Sequence, residues 1–191
     1  MRIIAGSLKG RRLKAPSWEG LRPTSDKMRE TLFNILAPRI ADARVLDAYA
    51  GTGALGLEAL SRGAAHVTFI EQDRRAQALI DENLAHCGIT EGYVIIRASV
   101  ARGFEMLRGG PPFDVVLLDP PYEQPRPAGS EHDAVVTILG AAADLMAPDA
   151  VLILEHARKR RAPDTAGRMV CAREVASGDS ALSLYKVKGK R

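Results

Sequence analysis

The twelve residues VLDAYAGTGALG, positions 45–56, restrict the fold of this chain more than any other segment. An apolar run ends in a carboxylate, and Gly51, Gly53 and Gly56 follow at G-x-G-x-x-G spacing before a helical pattern begins. Glycines in that order serve a tight turn, a close approach of ligand to backbone, and close packing of helix on strand. A strand, a glycine turn and a helix in that order are one unit of an α/β sheet.

The rest of the chain agrees. VTFIE (67–71), YVIIR (93–97), FDVVLLD (113–119) and VLILEH (151–156) read, like VLDAY (45–49), as buried strands of a mostly parallel sheet. Helices lie between them. One carries Leu55, Leu57, Ala59 and Leu60 before Gly63; a second puts Ala76, Leu79, Ile80 and Leu84 on one face before Gly88; a third runs over 132–146 with Val135, Leu139, Ala142 and Met146. The order predicts a Rossmann-like, doubly wound sheet with right-handed crossovers. RMVCARE (168–174) and ALSLYKV (181–187) predict a hairpin that adds an antiparallel strand. At the front, residues 2–6 and 10–13 suggest a small basic hairpin, followed by a helix capped at Thr24 or Ser25 with Met28, Leu32 and Ile35 or Leu36 inward. With 191 residues and 46% hydrophobic content, one domain is expected: an extension over 1–40 and a core over 41–191.

The glycine loop implies a nucleotide-like ligand, and two carboxylates narrow it. Asp47, four residues before Gly51, would face the negative pyrophosphate of a dinucleotide but suits an amino group and a sulfonium, as in S-adenosyl-L-methionine. Glu71 ends the second strand about twenty residues beyond Gly51, where a carboxylate can accept both ribose hydroxyls. Thr52 in the loop and Gln72 after Glu71 complete this part of the candidate site. The absence of G-x-x-x-x-G-K-[ST] disfavours a P-loop nucleotidase.

Asp119-Pro120-Pro121-Tyr122 follows the fourth strand, which a doubly wound sheet places beside the first, so the tetrapeptide should face the glycine loop across one pocket. Each proline fixes its own φ and holds the preceding residue extended, so the carbonyls there become fixed acceptors. With the Asp119 carboxylate they match the two hydrogens of an exocyclic NH₂ on a nucleobase. Drawing both hydrogens away favours a pyramidal nitrogen and stabilises the positive charge that develops as it attacks a methyl group. Tyr122 could stack on the base. No cysteine follows the prolines, so ring-carbon methylation through a covalent adduct has no nucleophile here. Asp119, Pro120 and Tyr122 are therefore the candidate catalytic residues.

AGTGALGLEALSRGA and LLDPPY, together with RIIAG near the start and LRPTSDKMRETLFN before the first strand, closely resemble the RsmD family of bacterial small-subunit ribosomal RNA guanine-N2 methyltransferases. The resemblance runs from about Arg2 to Tyr185. It implies a class I S-adenosylmethionine-dependent methyltransferase fold, N2-methylguanine in 16S ribosomal RNA as the product, and S-adenosyl-L-methionine as the cofactor. One position departs from the commonest methyltransferase pattern: an aspartate that often reads the adenine is replaced in Arg97-Ala98-Ser99-Val100, leaving Ser99 or a backbone amide for that task.

The net charge of +4 and pI near 9.3 matter through their placement. No acidic residue precedes Glu19, and the leading stretch carries Arg2, Lys9, Arg11, Arg12 and Lys14; Arg158–Arg161 and the C-terminal lysines form two further runs. Such runs favour a polyanionic partner. The five leading cations are expected along RNA phosphates, with Arg22 and Arg29 near the target nucleotide, itself unpaired or flipped out. The partner implied is 16S ribosomal RNA, naked or in a small-subunit assembly. No signal core or membrane-length apolar run appears, so a cytoplasmic protein is expected. Cys87 and Cys171 read as reduced core thiols; no metal is expected, and the protein is expected to be a monomer. The rivals are a nicotinamide-dependent oxidoreductase, disfavoured by Asp47; an amino-group methyltransferase on another RNA or DNA base; and an RNA-binding module with a vestigial fold.

Overall fold

The Val, Ile and Leu runs form strands where their pattern places them, because a strand covered on both faces needs apolar side chains on both. The computed structural model describes residues 1–18, 25–120 and 130–189. Its strands are β1 (Arg44–Asp47), β2 (His66–Glu71), β3 (Tyr93–Arg97), β4 (Phe113–Leu118), β5 (Met146–Ala157), β6 (Thr165–Ala166), β7 (Met169–Ser177) and β8 (Ser180–Val187). They form one sheet in the order β3-β2-β1-β4-β5-β8-β7-β6. The first five are parallel, and β8, β7 and β6 continue antiparallel. The sequence thus anticipated the parallel core and underestimated the antiparallel extension.

The helices are α1 (Asp26–Ile40), α2 (Ala54–Ser61), α3 (Arg74–Cys87), α4 (Val100–Leu107) and α5 (Ser130–Ala142). Helix α5 ends earlier than its pattern suggested, passing through a 3₁₀ turn at Ala143–Leu145, and Met146 opens β5 instead of closing the helix. Helix α4 had no counterpart in the apolar pattern; Ser99 caps it, accepting from the Arg102 amide at 3.4 Å. Ser25 caps α1.

Alternation along the strands gives the sheet two buried faces. Val45, Val67, Leu117 and Ile153 pack with Leu32, Phe33 and Leu36 of α1 and with Leu55 and Leu57 of α2. Leu46, Val116, Leu118 and Leu154 pack on the other face with Phe104 of α4 and Leu139 of α5. Chain order reverses between β1 and β4, and this is where a doubly wound sheet opens a crevice at its carboxyl edge.

The leading hairpin is reduced to one antiparallel bridge, Arg2↔Arg12. It is clasped onto α2. Glu58, fully buried, accepts from the amides of Ile4 (2.7 Å) and Ala5 (3.0 Å) and from Arg62 Nε (2.7 Å). Ser61 Oγ donates to the Ala5 carbonyl at 2.6 Å and accepts from the Leu8 amide at 3.0 Å. Ile3 and Leu13 enter the same apolar cluster as β1 and α1.

Candidate active site

The loop after β1 is held by two carboxylates. Gly51 (φ 52°) donates its amide to Glu71 Oε2 at 2.8 Å, and Asp73 donates to Glu71 Oε1 at 2.8 Å. Asp47 Oδ2 accepts from the Gly56 amide at 3.0 Å, in the first turn of α2. Gly53 takes φ 77° at the N-cap of that helix, a conformation that glycine adopts without the Cβ penalty. Gly56 is required for packing: a Cβ there would lie 2.1 Å from Phe69 Cε1. Gly51 and Gly53 thus supply the positive-φ turn, and Gly56 the close packing of helix on strand, that their spacing predicted.

Asp47 is 1% exposed. Burial raises its pKa from the ordinary 3.8 to about 7; the Gly56 hydrogen bond opposes this, and the charges of Asp119 and Glu71 add to it. Asp47, Asp119 and Glu71 stand at the ends of β1, β4 and β2, neighbours in the sheet. A positively charged ligand at this rim would relieve their mutual repulsion, which fits a sulfonium-bearing cofactor and disfavours a pyrophosphate.

Asp119 and Pro120 are half-buried at the rim; Pro121 and Tyr122 lie outside the described residues. Asp119 lines a pocket with Leu32, Leu55, Leu117, Ile153 and Glu155. Glu155 was not anticipated. The β4–β5 register pairs Leu117 with Ile153 and Leu118 with Leu154, so Glu155 stands next to Asp119 at the following step. A signal was present in the sequence: FDVVLLD and VLILE are apolar runs that each end in a carboxylate.

The remaining candidates differ in setting. Thr52 is buried, and its carbonyl accepts from Asn83 Nδ2 at 3.0 Å. Gln72 is exposed just beyond β2. Ser99 is exposed, with its hydroxyl engaged in the α4 cap.

A family model described as Conserved hypothetical protein 95 matches residues 1–186. The ribosomal RNA small subunit methyltransferase D of Escherichia coli (strain K12) is 40% identical over 186 residues, covering 97% of this chain and 89% of the relative. The chain belongs to the RsmD family. A hypothetical protein of Thermus thermophilus superposes with a TM-score of 0.81 at 29% identity, over 98% of this chain and 99% of that one. SMU.776, solved in complex with SAH, shares the fold, with a TM-score of 0.69 at 15% identity over 83% of this chain and 49% of its own.

In this RsmD-family chain, Arg2, Lys9, Arg11, Arg12 and Lys14 are all exposed. Three have partners: Arg11 Nη1 donates to the His86 carbonyl at 3.1 Å, Lys14 Nζ meets Glu82 at 2.9 Å, and Arg2 Nε lies 3.9 Å from Asp26. Arg22 lies outside the described residues. Arg29 corrects the expectation of a surface contact, being 0% exposed. Its Nη2 donates to the Arg2 carbonyl and to Asp26 Oδ1, both at 2.7 Å, so it ties the leading strand to α1. Helical spacing explains the inversion, since Arg29, Phe33, Leu36 and Ile40 share the buried face of α1.

Asn83, on α3, was also not anticipated. Fully buried, it accepts from the Lys14 amide at 2.7 Å and donates to the Lys14 and Thr52 carbonyls at 3.3 and 3.0 Å. One amide thus joins the basic extension to the glycine loop. A buried asparagine in a helix has no local sequence signature. Both cysteines are free, with Cys87 buried and Cys171 half-buried. Among the described residues no His/Cys/Asp/Glu group could hold a metal ion, and no helix is long and apolar enough to cross a membrane.

Proposed function

We propose that this chain methylates the exocyclic N2 of a specific guanine in 16S ribosomal RNA, using S-adenosyl-L-methionine, as one cytoplasmic methyltransferase domain with residues 1–40 as its RNA-facing extension. The observation that carries this reading is the convergence of Asp47, Glu71 and Asp119 on the edge where β2, β1 and β4 end. Membership of the RsmD family and the name of the Escherichia coli relative support the RNA substrate, and SAH, the demethylated cofactor, occupies a neighbour of the same fold.

When bound, S-adenosylmethionine would supply a methyl group from its sulfonium to the N2 lone pair, the electron pair of the broken C–S bond staying on sulfur. The chain's own residues set this up. Asp47 and Glu71 favour the cationic end and the ribose of the ligand. Asp119 and the carbonyl beside Pro120 accept from the two N2 hydrogens, directing the nitrogen lone pair towards the methyl group and stabilising the charge that grows on nitrogen. One N2 proton then passes by way of the Asp119 carboxylate to solvent, so the product is neutral. Thr52 and Gln72 border the cofactor, and Ser99 faces its adenine while capping α4.

Tritiated methyl transfer to 16S ribosomal RNA, naked and as assembled subunits, followed by nucleoside analysis, tests the reading. N2-methylguanine is expected. N6-methyladenine, or no labelled product from either substrate, would overturn it.

A further inference from the structure

Accepting two hydrogens on an amino group does not by itself choose a base, because adenine, cytosine and guanine all carry one. The bases differ in what stands beside it. Next to the amino group, adenine offers N1 and cytosine offers N3, both bare acceptors; guanine offers N1–H, a donor. A second acceptor fixed beside the amino site would therefore bind guanine and repel the other two through opposed lone pairs.

Glu155 stands in that place. The parallel register, Leu117 with Ile153 and Leu118 with Leu154, carries Asp119 and Glu155 to adjacent positions on neighbouring strands, which run about 4.8 Å apart. Alternation points both to the same face, since Leu117 and Ile153 share one apolar cluster and Leu118 and Leu154 the other. Both line one pocket, roofed by Leu32 of α1 and Leu55 of α2 and flanked by Leu182. Glu155 Oε2 is buried, and apart from Asp119 its pocket is lined by leucines and Ile153, a setting in which two opposed lone pairs are costly. The position is also on the correct side: the glycine loop, Asp47 and Glu71 occupy the β1 and β2 ends, leaving the β4 and β5 ends for the base.

We infer that Glu155 is the specificity-determining residue for guanine, its carboxylate accepting the N1–H while the Asp119 carboxylate and the carbonyl beside Pro120 hold N2. This rests on the guanine-N2 reading above. It assigns Glu155 no part in the transfer step.

The test uses the 191-residue chain and an RNA whose methylated base has first been identified by nucleoside analysis and whose position has been located by nuclease mapping of the labelled RNA. That position is synthesised as guanine or as 2-aminopurine, which keeps the 2-amino group, replaces N1–H by a bare N1 and lacks O6, so the change in the ratio on substituting Glu155 is the deciding readout. Wild type is expected to prefer guanine in kcat/KM by on the order of ten- to a hundredfold, the range for a hydrogen bond to a charged group. Glu155→Gln is expected to lose a similar factor on guanine and to level or reverse the ratio, because its amide can donate to N1 of 2-aminopurine; cofactor affinity stays unchanged. A structural role for Glu155 would lower both substrates together. Equal rates for wild type on the two RNAs, or a ratio in Glu155→Gln equal to that of wild type, overturns the inference while leaving the guanine-N2 reading intact. A first product other than N2-methylguanine sinks that reading before any variant is made. Should Glu155→Gln not fold, Glu155→Ala, which removes the acceptor, is expected to bring the guanine to 2-aminopurine ratio towards one, and a ratio equal to that of wild type again overturns the inference.

Discussion

Two carboxylates on neighbouring elements do the same local job in different settings. Glu71 accepts from the amides of Gly51 and Asp73 and holds the glycine loop; Glu58 accepts from the amides of Ile4 and Ala5 and holds the basic extension. Glu58 is fully buried and shared with Arg62, so nothing of it is presented outward. Glu71 is half-buried at an edge where Asp47 and Asp119 add their charge. In the loop, the conformation rests on backbone amides, two carboxylates and missing side chains. In the extension the backbone is fastened, and the exposed side chains are left to meet a partner. Substitutions in the loop should therefore disturb architecture and ligand binding together, whereas those on the extension should separate them.

The largest effect is expected at Asp119, half-buried on the rim at the end of β4. Asp119→Ala should lower methyl transfer by about 10³-fold or more, the scale of losing a preorganised transition-state interaction. Cofactor affinity, read by calorimetry, should change little. Wild-type turnover in this variant would remove Asp119 from the mechanism.

Asp47 gives the next effect, with a definite sign. Its folded pKa, about 7, lies above the ordinary 3.8, so the protonated form favours the native state. That stabilisation is complete below about pH 4 and is lost as pH rises through 7, by at most about 4 kcal/mol. Ligand-free Asp47→Asn should therefore gain stability relative to wild type between pH 4 and 8 in denaturant titrations. Binding of a cationic cofactor should strengthen in wild type as pH rises through 7 and stay flat in the variant. Parallel pH profiles for the two proteins would mean that Asp47 is not the titrating group.

The third comparison makes one substitution in both regions. At Gly56 a Cβ meets Phe69 and Val67 within 2.8 Å; at Gly10, in the extension, it meets nothing within 4 Å. Gly56→Ala should cost about 1–3 kcal/mol by overpacking and weaken cofactor binding as α2 moves off β2. Gly10→Ala, at φ 84°, should cost about 1 kcal/mol of backbone strain and leave cofactor binding unchanged. Thermal melts with and without cofactor distinguish the two, and equal losses of affinity would erase the contrast.

The same division explains what could be read from the sequence. The loop was legible because each glycine answers a local demand of turn, approach or packing, and the parallel strands because burial on both faces leaves continuous Val, Ile and Leu runs. Helix α4 escaped notice, being eight residues long with only Gly103 and Phe104 buried. Strand β6, two residues long, exists only through its pairing with β7. Glu155 and Asn83 take their importance from contacts between elements distant in sequence, Glu155 through the β4–β5 register and Asn83 through Lys14 and Thr52. Arg29 shows the opposite failure: its charge suggested RNA, while its helical phase with Phe33 and Leu36 put it inside.

The smallest effect tests the extension itself. Lys9 and Arg12 are exposed and make no ion pair among the described residues, whereas Lys14 meets Glu82 and Arg2 lies near Asp26. Exposed pairs of that kind contribute about 0–1 kcal/mol, so even Lys14 and Arg2 would yield them readily to a phosphate, and Lys9 and Arg12 are the simpler pair to test. Replacing both with alanine should leave the melting temperature nearly unchanged and turnover at saturating RNA intact. RNA affinity should fall, and the slope of log affinity against log salt should decrease by about 0.7 for each single-strand phosphate that is no longer neutralised. An unchanged slope with unchanged affinity would place the RNA elsewhere, and the extension would then be an architectural clasp on α2 and α3, fastened through Glu58 and Asn83.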